Sequence, residues 1–223
     1  MSQKRGKLLI PGGFFMTLES GDGGGKTTQI ELLEKRLCKE NFDVIVRREP
    51  GGTDFGELVR ELLLHNPIER CELSNLFQFE SCRAALYDET ILPTLKSGGL
   101  VINSRSFDAS TTYQGYAGGI DLEIINTLNK IATFGKNPDL TIIIDVPVEE
   151  GLGKAIKSTG RYDRYEAKKF EFHEKVRQGY LKIAHDNPKR CVIIDYIPEG
   201  INEMHEQIYK ITKQRIDEKI SQN

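Results

Sequence analysis

The fold is decided by residues 14 to 28, which read Phe14-Phe15-Met16-Thr17-Leu18-Glu19-Ser20-Gly21-Asp22-Gly23-Gly24-Gly25-Lys26-Thr27-Thr28. The apolar start is typical of a buried strand, and the glycines after it let backbone N–H groups turn toward phosphate oxygens. Lys26 can reach the β- and γ-phosphates of a nucleoside triphosphate, and the Thr27 hydroxyl can bind Mg²⁺. The pattern therefore predicts a phosphate-binding loop, with Ser20 to Thr28 as its candidate contacts.

The residues after this loop indicate a helix, which is the context that such a loop requires. Ile30, Leu33 and Leu37 recur at helical spacing, with charged residues between them. One position departs from the usual G-x-x-x-x-G-K-[ST] pattern, because Ser20 stands where the first glycine is expected.

Composition limits the class of protein. The chain has 223 residues, 38% of them hydrophobic, and a net charge of -2, which suits one α/β domain and argues against a nucleic-acid surface. No apolar run approaches the roughly 20 residues of a membrane span, and the run at residues 7–10 ends at a Pro-Gly-Gly turn, too early for a signal core. We expect a cytoplasmic protein that binds neither membrane nor nucleic acid. Its thiols should be reduced and mostly buried, at Cys38, Cys71, Cys82 and Cys191.

Apolar, β-branched runs alternate with helical patterns along the chain. They predict five parallel strands at 14–19, 44–47, 100–103, 140–146 and 191–195. The clearest helical patterns lie at 73–95, 168–185 and 201–219. We therefore expect an N-terminal extension over residues 1–12 and a single domain over 13–223.

Ligands of parallel sheets collect at the carboxyl ends of the strands, so the residues after each run carry the chemistry. Arg48-Glu49-Pro50-Gly51-Gly52-Thr53 follows the second run, and Asn103-Ser104-Arg105-Ser106-Phe107-Asp108 follows the third. The arginine at position 105 would lie beside the phosphate loop, where a guanidinium can hold an acceptor phosphate by two parallel hydrogen bonds. Further along, the groups that suit a nucleoside pocket come from Ser110, Tyr113 and Gln114.

Together these segments resemble the thymidylate kinase family, whose members transfer the γ-phosphoryl group of ATP to dTMP. The resemblance covers about residues 14 to 215, and it rests on four motifs in the family's order: residues 19–28, 48–53 with Gly56, Glu57 and Arg60, 79–83, and 105–115. It implies a three-layer P-loop NTPase fold, ATP as co-substrate, Mg²⁺ as cofactor, a role in dTTP biosynthesis and a homodimer.

The resemblance also assigns contacts to the acceptor nucleotide. It implies that Asp22 contacts the sugar 3′-hydroxyl. It also implies that Phe79 stacks on thymine and that Arg83 hydrogen-bonds the edge of the base. Arg60 and Arg105 would hold the acceptor phosphate. The remaining substrate contacts implied are Glu49, Ser110, Tyr113 and Gln114.

Residues 153–167 resemble the family's mobile lid, which closes over ATP. Some members carry an arginine beside the acidic residue of the phosphate loop, where this chain has Gly23. The resemblance therefore implies that the lid supplies Arg161 and Arg164 as catalytic cations, which act with Lys26 and Arg105 on the transferring phosphoryl group.

Three positions depart from the family pattern close to the phosphates. Besides Ser20, a serine at 104 replaces the aspartate that usually precedes the arginine, and Ser106 replaces an aromatic residue or histidine. Loss of a carboxylate that orients Mg²⁺ typically costs about 10- to 100-fold in metal affinity or activity. This leaves one alternative, a weakened paralogue that binds dTMP and ATP without efficient phosphoryl transfer. A regulatory GTPase is disfavoured, because Asn129-Lys130 is followed by Ile-Ala and not by a guanine-reading acid.

Overall fold

A computed structural model of the chain describes residues 7–159 and 163–222. Its centre is a five-stranded parallel sheet of order β2-β3-β1-β4-β5. The strands are β1 (Phe14–Ser20), β2 (Val44–Arg48), β3 (Leu100–Ser104), β4 (Leu140–Asp145) and β5 (Cys191–Asp195). All five predicted strands are confirmed, with bounds that differ by at most one residue at either end.

Helices follow the strands and cover both faces of the sheet. They are α1 (Lys26–Lys39), α2 (Asp54–Leu64), α3 (Glu72–Leu86), α4 (Leu92–Lys96), α5 (Phe107–Ser110), α6 (Leu122–Ala132), α7 (Val148–Thr159), α8 (Phe170–Asp186) and α9 (Ile201–Ser221). Two π-helical segments, Tyr87–Ile91 and Thr111–Ala117, continue α3 into α4 and extend α5. The long pattern predicted at 73–95 is therefore one helical run in three parts.

The sheet separates the packed layers, as its side-chain alternation requires. On one face, Met16 and Leu18 of β1 pack with Ile30 of α1 and Ile208 of α9. The intervening side chains of β1 face the other way, where Phe15 packs with the α3–α4 run. On that second face α8 and the segment Thr111–Ala117 cover β4. The predicted three-layer arrangement is confirmed, and the alternation also sends Glu19 to the second face.

Residues 7–12 pack on the domain. Leu8 pairs with Phe42 in a parallel bridge, and the Ile10 backbone donates to the Gly98 carbonyl at 2.8 Å. The Ile10 side chain is buried, with 1% of its surface exposed. Packing therefore begins before residue 13, because this short segment adds apolar area to the edge of the core.

Two further predictions concern the cysteines and membrane spans. The thiols are free, but only Cys82 and Cys191 are buried, whereas Cys38 and Cys71 are exposed, so the expectation of mostly buried thiols is wrong for half of them. Over 7–159 and 163–222, no helix is both long and apolar enough to span a bilayer.

Candidate active site

The phosphate loop joins the end of β1 to the start of α1. Gly23 and Gly25 have φ values of 68° and 79°, in the left-handed region that favours glycine. A Cβ atom at Gly23 would collide with the backbone of Gly151 in α7, and one at Gly24 would collide with the Ser20 hydroxyl. This tight loop directs the start of α1 at the crevice beside β1, where its free N–H groups can bind phosphate.

Lys26 is held inside the loop. Its Nζ donates to Ser20 Oγ at 2.8 Å and to the Gly21 carbonyl at 3.1 Å. Burial, together with the nearby Arg105 cation, lowers the pKa of Lys26 to about 7. The serine at the unusual position 20 therefore serves as a partner of the loop lysine.

Arg105 reaches the same place from the end of β3. Its Nη2 donates to Asp22 Oδ1 at 2.5 Å and to the Tyr113 hydroxyl at 3.1 Å. Its Nη1 donates to the Ser20 carbonyl and to the Tyr180 hydroxyl, each at 3.1 Å. The arginine expected at the acceptor phosphate thus lies against the phosphate loop.

A second cluster is centred on Arg83, whose side chain is only 2% exposed. Its Nε donates to Glu49 Oε2 at 2.8 Å, and its Nη1 donates to Glu80 and to Asn129 Oδ1. Its Nη2 donates to Ser110 Oγ at 2.9 Å. Among the described residues, four of the five guanidinium hydrogens of Arg83 have partners. One Nη2 hydrogen therefore remains that can donate to a ligand.

The two clusters border one cavity of about 370 Å³, which is within the usual range for a small-ligand site. The nine predicted contacts to the acceptor nucleotide all line this cavity, together with Lys26 and Thr27 of the loop: Asp22, Glu49, Arg60, Phe79, Arg83, Arg105, Ser110, Tyr113 and Gln114. The other predicted loop contacts do not line it: Ser20, Gly21, Gly23, Gly24, Gly25 and Thr28. The cavity therefore has a phosphate end at the loop and a second, largely buried end around Arg83.

Sequence and structure comparisons agree on the family. The Thymidylate kinase family model matches residues 18–208. The chain belongs to the thymidylate kinase family. It is 43% identical to the thymidylate kinase of Caldanaerobacter subterraneus subsp. tengcongensis, over 91% of this chain and 96% of that protein. It is also 43% identical to the thymidylate kinase of a Sulfurihydrogenibium species, over 91% of this chain and 98% of that protein.

A solved structure gives the same result at the level of the fold. The crystal structure of thymidylate kinase from Ehrlichia chaffeensis superposes with a TM-score of 0.73 at 34% sequence identity. The match covers 91% of this chain and 99% of that one. The P-loop NTPase fold expected from the resemblance is thereby confirmed.

The turn after β2 carries a further arginine to the cavity. Gly51 and Gly52 have φ values of 121° and 86°, and the Gly52 N–H donates to Glu57 Oε1 at 2.9 Å. Arg60 lies in α2 about one turn after Glu57, and its Nη1 donates to the Pro50 carbonyl at 2.7 Å. Burial and the nearby Arg48 lower the pKa of Arg60. The turn thus holds Arg60 at the cavity wall.

Of the predicted lid at 153–167, residues 153–159 form the end of α7, and the description resumes at residue 163. The Tyr165 hydroxyl accepts a hydrogen bond from Gln114 Nε2 at 3.2 Å, and its ring packs near Phe79 and Tyr113, with centroid distances of 5.8 and 5.9 Å. Asp163, Tyr165 and Glu166 line the cavity. This part of the lid therefore closes the buried end of the site.

The two lid arginines have different outcomes. Arg164 donates to the carbonyl oxygens of Asn66 and Ile68 at 2.7 and 2.6 Å, and it is absent from the cavity lining. The structure therefore does not bring Arg164 to the phosphate loop, because the link between α2 and α3 binds its guanidinium. Arg161 lies outside the described residues.

The family's usual carboxylate position is Ser104, which lies at the cavity edge with the exposed Thr27. Where the structure describes the chain, no three His, Cys, Asp or Glu side chains come together as a metal site. Mg²⁺ in kinases is usually held by one or two protein ligands together with substrate phosphates and water. The hydroxyl groups of Thr27 and Ser104 are compatible with that mode of binding.

Sequence reasoning missed three buried residues behind the cavity. Glu19 accepts from the Ser106 N–H at 2.7 Å and from the Tyr180 hydroxyl at 2.9 Å. Burial, with Asp108 nearby, raises the pKa of Glu19 to about 8. His173 lies with Nδ1 3.8 Å from Asp22 Oδ2. Only Glu19 carries a sequence signal, since it directly precedes the loop at the end of an apolar strand.

Proposed function

We propose that the protein transfers the γ-phosphoryl group of ATP to dTMP, giving ADP and dTDP for dTTP biosynthesis. The observation that carries the proposal is the single cavity bordered by Lys26 of the phosphate loop, by Arg105, and by the buried cluster around Arg83. One end suits phosphate groups, and the other suits a planar base. The relatives named above are thymidylate kinases, which supports the same acceptor.

In the proposed reaction the protein positions two phosphates and balances their charge. Lys26 and the first N–H groups of α1 bind the β- and γ-phosphates of ATP. Arg105 and Arg60 hold the acceptor phosphate, which is itself the anionic nucleophile, so no general base is required. The bond from the γ-phosphorus to the β,γ-bridging oxygen breaks as the bond to the dTMP oxygen forms. Thr27 and Ser104 would hold Mg²⁺, which would supply positive charge beside the ATP phosphates.

The buried end of the cavity accounts for the proposed base and sugar. The remaining Nη2 hydrogen of Arg83 can donate to a thymine carbonyl, and the Phe79 ring offers a stacking surface. Ser110 and Gln114 complete the polar edge of the pocket. Asp22 would receive the sugar 3′-hydroxyl, and the ring of Tyr113 beside it leaves little room for a 2′-hydroxyl.

We also propose that Arg161 and Arg164 approach the transferring phosphoryl group when ATP is bound. For Arg164 this requires its two bonds to the Asn66 and Ile68 carbonyls to break. A hydrogen bond to a bound phosphate would compensate for the loss of these two bonds, because a phosphate is a stronger partner for a guanidinium group than a neutral carbonyl.

We propose that the protein is a cytoplasmic homodimer. Helices α2, α3 and α6 pack side by side and carry exposed apolar side chains, at Phe55, Leu58, Leu73, Phe77, Ile124 and Ile131. Such a face is typical of an interface, and the family resemblance favours a second copy of this chain as its occupant. Light scattering should give twice the mass of 25.2 kDa, and Leu58→Glu should reduce it to the monomer mass.

The experiment is an ADP-release assay with dTMP, dUMP, dCMP and dTMP analogues, each with and without Mg²⁺. We expect ADP formation that depends on Mg²⁺ and is fastest with dTMP, and Arg105→Ala should abolish most of it. Binding of dTMP with no ADP above the Arg105→Ala level would instead support the weakened paralogue. The relatives give that alternative no support, since they carry the name of the active family.

A further inference from the structure

Glu19 and Tyr180 lie behind the site and outside the cavity lining. Glu19 is completely buried near the end of β1, and Tyr180 of α8 is 2% exposed. Neither residue is needed as a ligand for ATP or dTMP in the proposed reaction. Burying a polar carboxyl group is costly unless its hydrogen-bonding capacity is used, so the partners of Glu19 indicate its purpose.

The first partner of Glu19 is the backbone directly after Arg105. Glu19 Oε1 accepts from the Ser106 N–H at 2.7 Å, and the Arg105 N–H donates to the Leu18 carbonyl at 3.1 Å. Arg105 has a φ of 68°, in the left-handed region that non-glycine residues rarely adopt. Residues of β1 thus hold the peptide groups on both sides of the Arg105 Cα, and these bonds offset the strain of its backbone.

The second partner of Glu19 reaches the guanidinium itself. The Tyr180 hydroxyl accepts from Arg105 Nη1 at 3.1 Å and donates its own hydrogen to Glu19 Oε2 at 2.9 Å. An arginine can only donate, so the Tyr180 hydroxyl accepts from Arg105, and its single hydrogen is available to the Glu19 Oε2 atom. By accepting this hydrogen, Glu19 orients the Tyr180 hydroxyl so that a lone pair of its oxygen faces Arg105.

We propose that Glu19 and Tyr180 are positioning residues, which hold Arg105 in the orientation that receives the acceptor phosphate. Glu19 acts on the arginine at two points, through the backbone of Ser106 and through the Tyr180 hydroxyl. The other charged groups close to Glu19 are Asp108, Lys26 and Arg105 itself. The proposal rests on the proposed function, because Arg105 has to hold the dTMP phosphate for its orientation to matter.

The main test is Tyr180→Phe, which removes one oxygen atom and keeps the buried ring. We expect kcat/KM for dTMP to fall about 10- to 100-fold, the size typical of a hydrogen bond to a charged group. The KM for ATP should stay within about twofold, because Lys26 and the loop keep their contacts. Calorimetry should show the same weakening for dTMP binding in the absence of ATP.

The matched control is Tyr209→Phe. Tyr209 of α9 also donates its hydroxyl hydrogen to a glutamate, Glu40, at 2.6 Å, but on the far side of the sheet from Arg105. We expect this variant to have the kinetics of the wild type. Thermal unfolding of both variants reports whether a loss of activity reflects a loss of folded protein.

A double-mutant cycle separates positioning from a general structural role. In an Arg105→Ala background, Tyr180→Phe should cause no further loss of dTMP affinity, because the guanidinium on which it acts is gone. Glu19→Gln, which keeps one acceptor oxygen, should weaken dTMP binding by itself, and its effect should not add to that of Tyr180→Phe.

Three results would overturn the proposal: Tyr180→Phe within twofold of wild type, equal losses for ATP and dTMP, or an undiminished effect in the Arg105→Ala background. The failure of the proposed function would look different. In that case the wild type would form no ADP from dTMP and ATP, and the dTMP affinities of the same variants would still decide whether Glu19 and Tyr180 position Arg105.

Discussion

The two ends of the cavity are built in opposite ways. At the buried end, which we propose for the base and call the base end, Arg83 is fixed by Glu49, Glu80 and Ser110, all buried. Among the residues that the structure describes, one guanidinium hydrogen of Arg83 has no partner. At the phosphate end, Lys26 binds the oxygens of its own loop, and Thr27 is exposed. The base end is thus held by charged and polar side chains of the protein itself, whereas a phosphate bound at the other end, as we propose, would replace the oxygens that hold Lys26.

This difference separates stability from catalysis. Charges that are paired inside the protein become costly when one partner is removed, so the base end should be important for folding. Lys26 at the phosphate end is held by neutral oxygens and would gain a charged partner only with the substrate, so it should be important for rate. Changes at the two ends should therefore affect different measurements.

The largest effect is expected for Arg83→Met. This change leaves the carboxylates of Glu49 and Glu80 buried without their cation, so the free energy of unfolding should fall by about 3–5 kcal/mol. Urea denaturation followed by circular dichroism measures it, with Arg60→Met as the control, because Arg60 donates to a neutral carbonyl, that of Pro50. A loss under about 1 kcal/mol for Arg83→Met would show that the base end is not held in this way.

The next effect is expected for Lys26→Met at the phosphate end. It should lower kcat about 100- to 1000-fold, as is typical when a group that stabilises developing charge is removed. The free energy of unfolding should not fall, because burial already disfavours the charged form of Lys26. Steady-state kinetics and denaturation are measured together, with the exposed Lys35→Met of α1 as the control. A marked loss of stability in Lys26→Met would remove the distinction between the two ends.

A smaller effect is expected for Ser104→Asp. Restoring a carboxylate at the end of β3 should lower the Mg²⁺ concentration for half-maximal rate by about 10-fold, the low end of the range for residues that orient metal ligands. A Mg²⁺ titration of the assay measures it, and Ser221→Asp at the end of α9 is the control for added charge. An unchanged Mg²⁺ requirement would indicate that the serine already fulfils this role.

The smallest expected effect is on the number of protons that the protein takes up when ATP binds. The pKa of Lys26 is lowered to about 7, so at pH 6 the lysine is already charged, and at pH 8 most of it is neutral in the free protein. A bound triphosphate favours the charged form, so ATP binding at pH 8 should take up about one proton, and binding at pH 6 should take up much less. Calorimetry in buffers of different protonation enthalpy measures the uptake. Lys26→Met should abolish it, and equal uptake in that variant would assign the proton to another group.

The lowered pKa of Lys26 also makes the free energy of unfolding depend on pH. Between about pH 7 and the ordinary pKa of lysine, the unfolded chain binds the proton that the folded chain has lost, so this group makes the protein more stable as pH rises. Glu19 acts in the opposite direction, because its raised pKa gives stability below the ordinary carboxyl range that is lost as pH rises through about 8. Lys26→Met should therefore remove a rise in the free energy of unfolding with pH, and Glu19→Gln should remove a fall.

The strands, the phosphate loop and most of the residues that line the cavity could be predicted from patterns in the amino-acid sequence. Strands and loops of this kind depend on local properties, such as the apolar run at Phe14–Leu18 and the φ values that only the glycines of the loop allow easily. The motifs with Arg60, Phe79 and Arg105 could be placed because carboxyl ends of parallel strands meet at one edge of the sheet.

Only the tertiary structure decided which partner each charged side chain finds. Tyr180 and Glu19 are 161 positions apart in the chain, and no local pattern indicates that they join behind Arg105. The position of Arg164 on the Asn66 and Ile68 carbonyls is likewise a long-range contact, across 98 and 96 positions. Such pairings depend on how helices pack across the sheet, because a side chain's hydrogen-bond partner is set by distances in the folded protein and not by spacing along the chain.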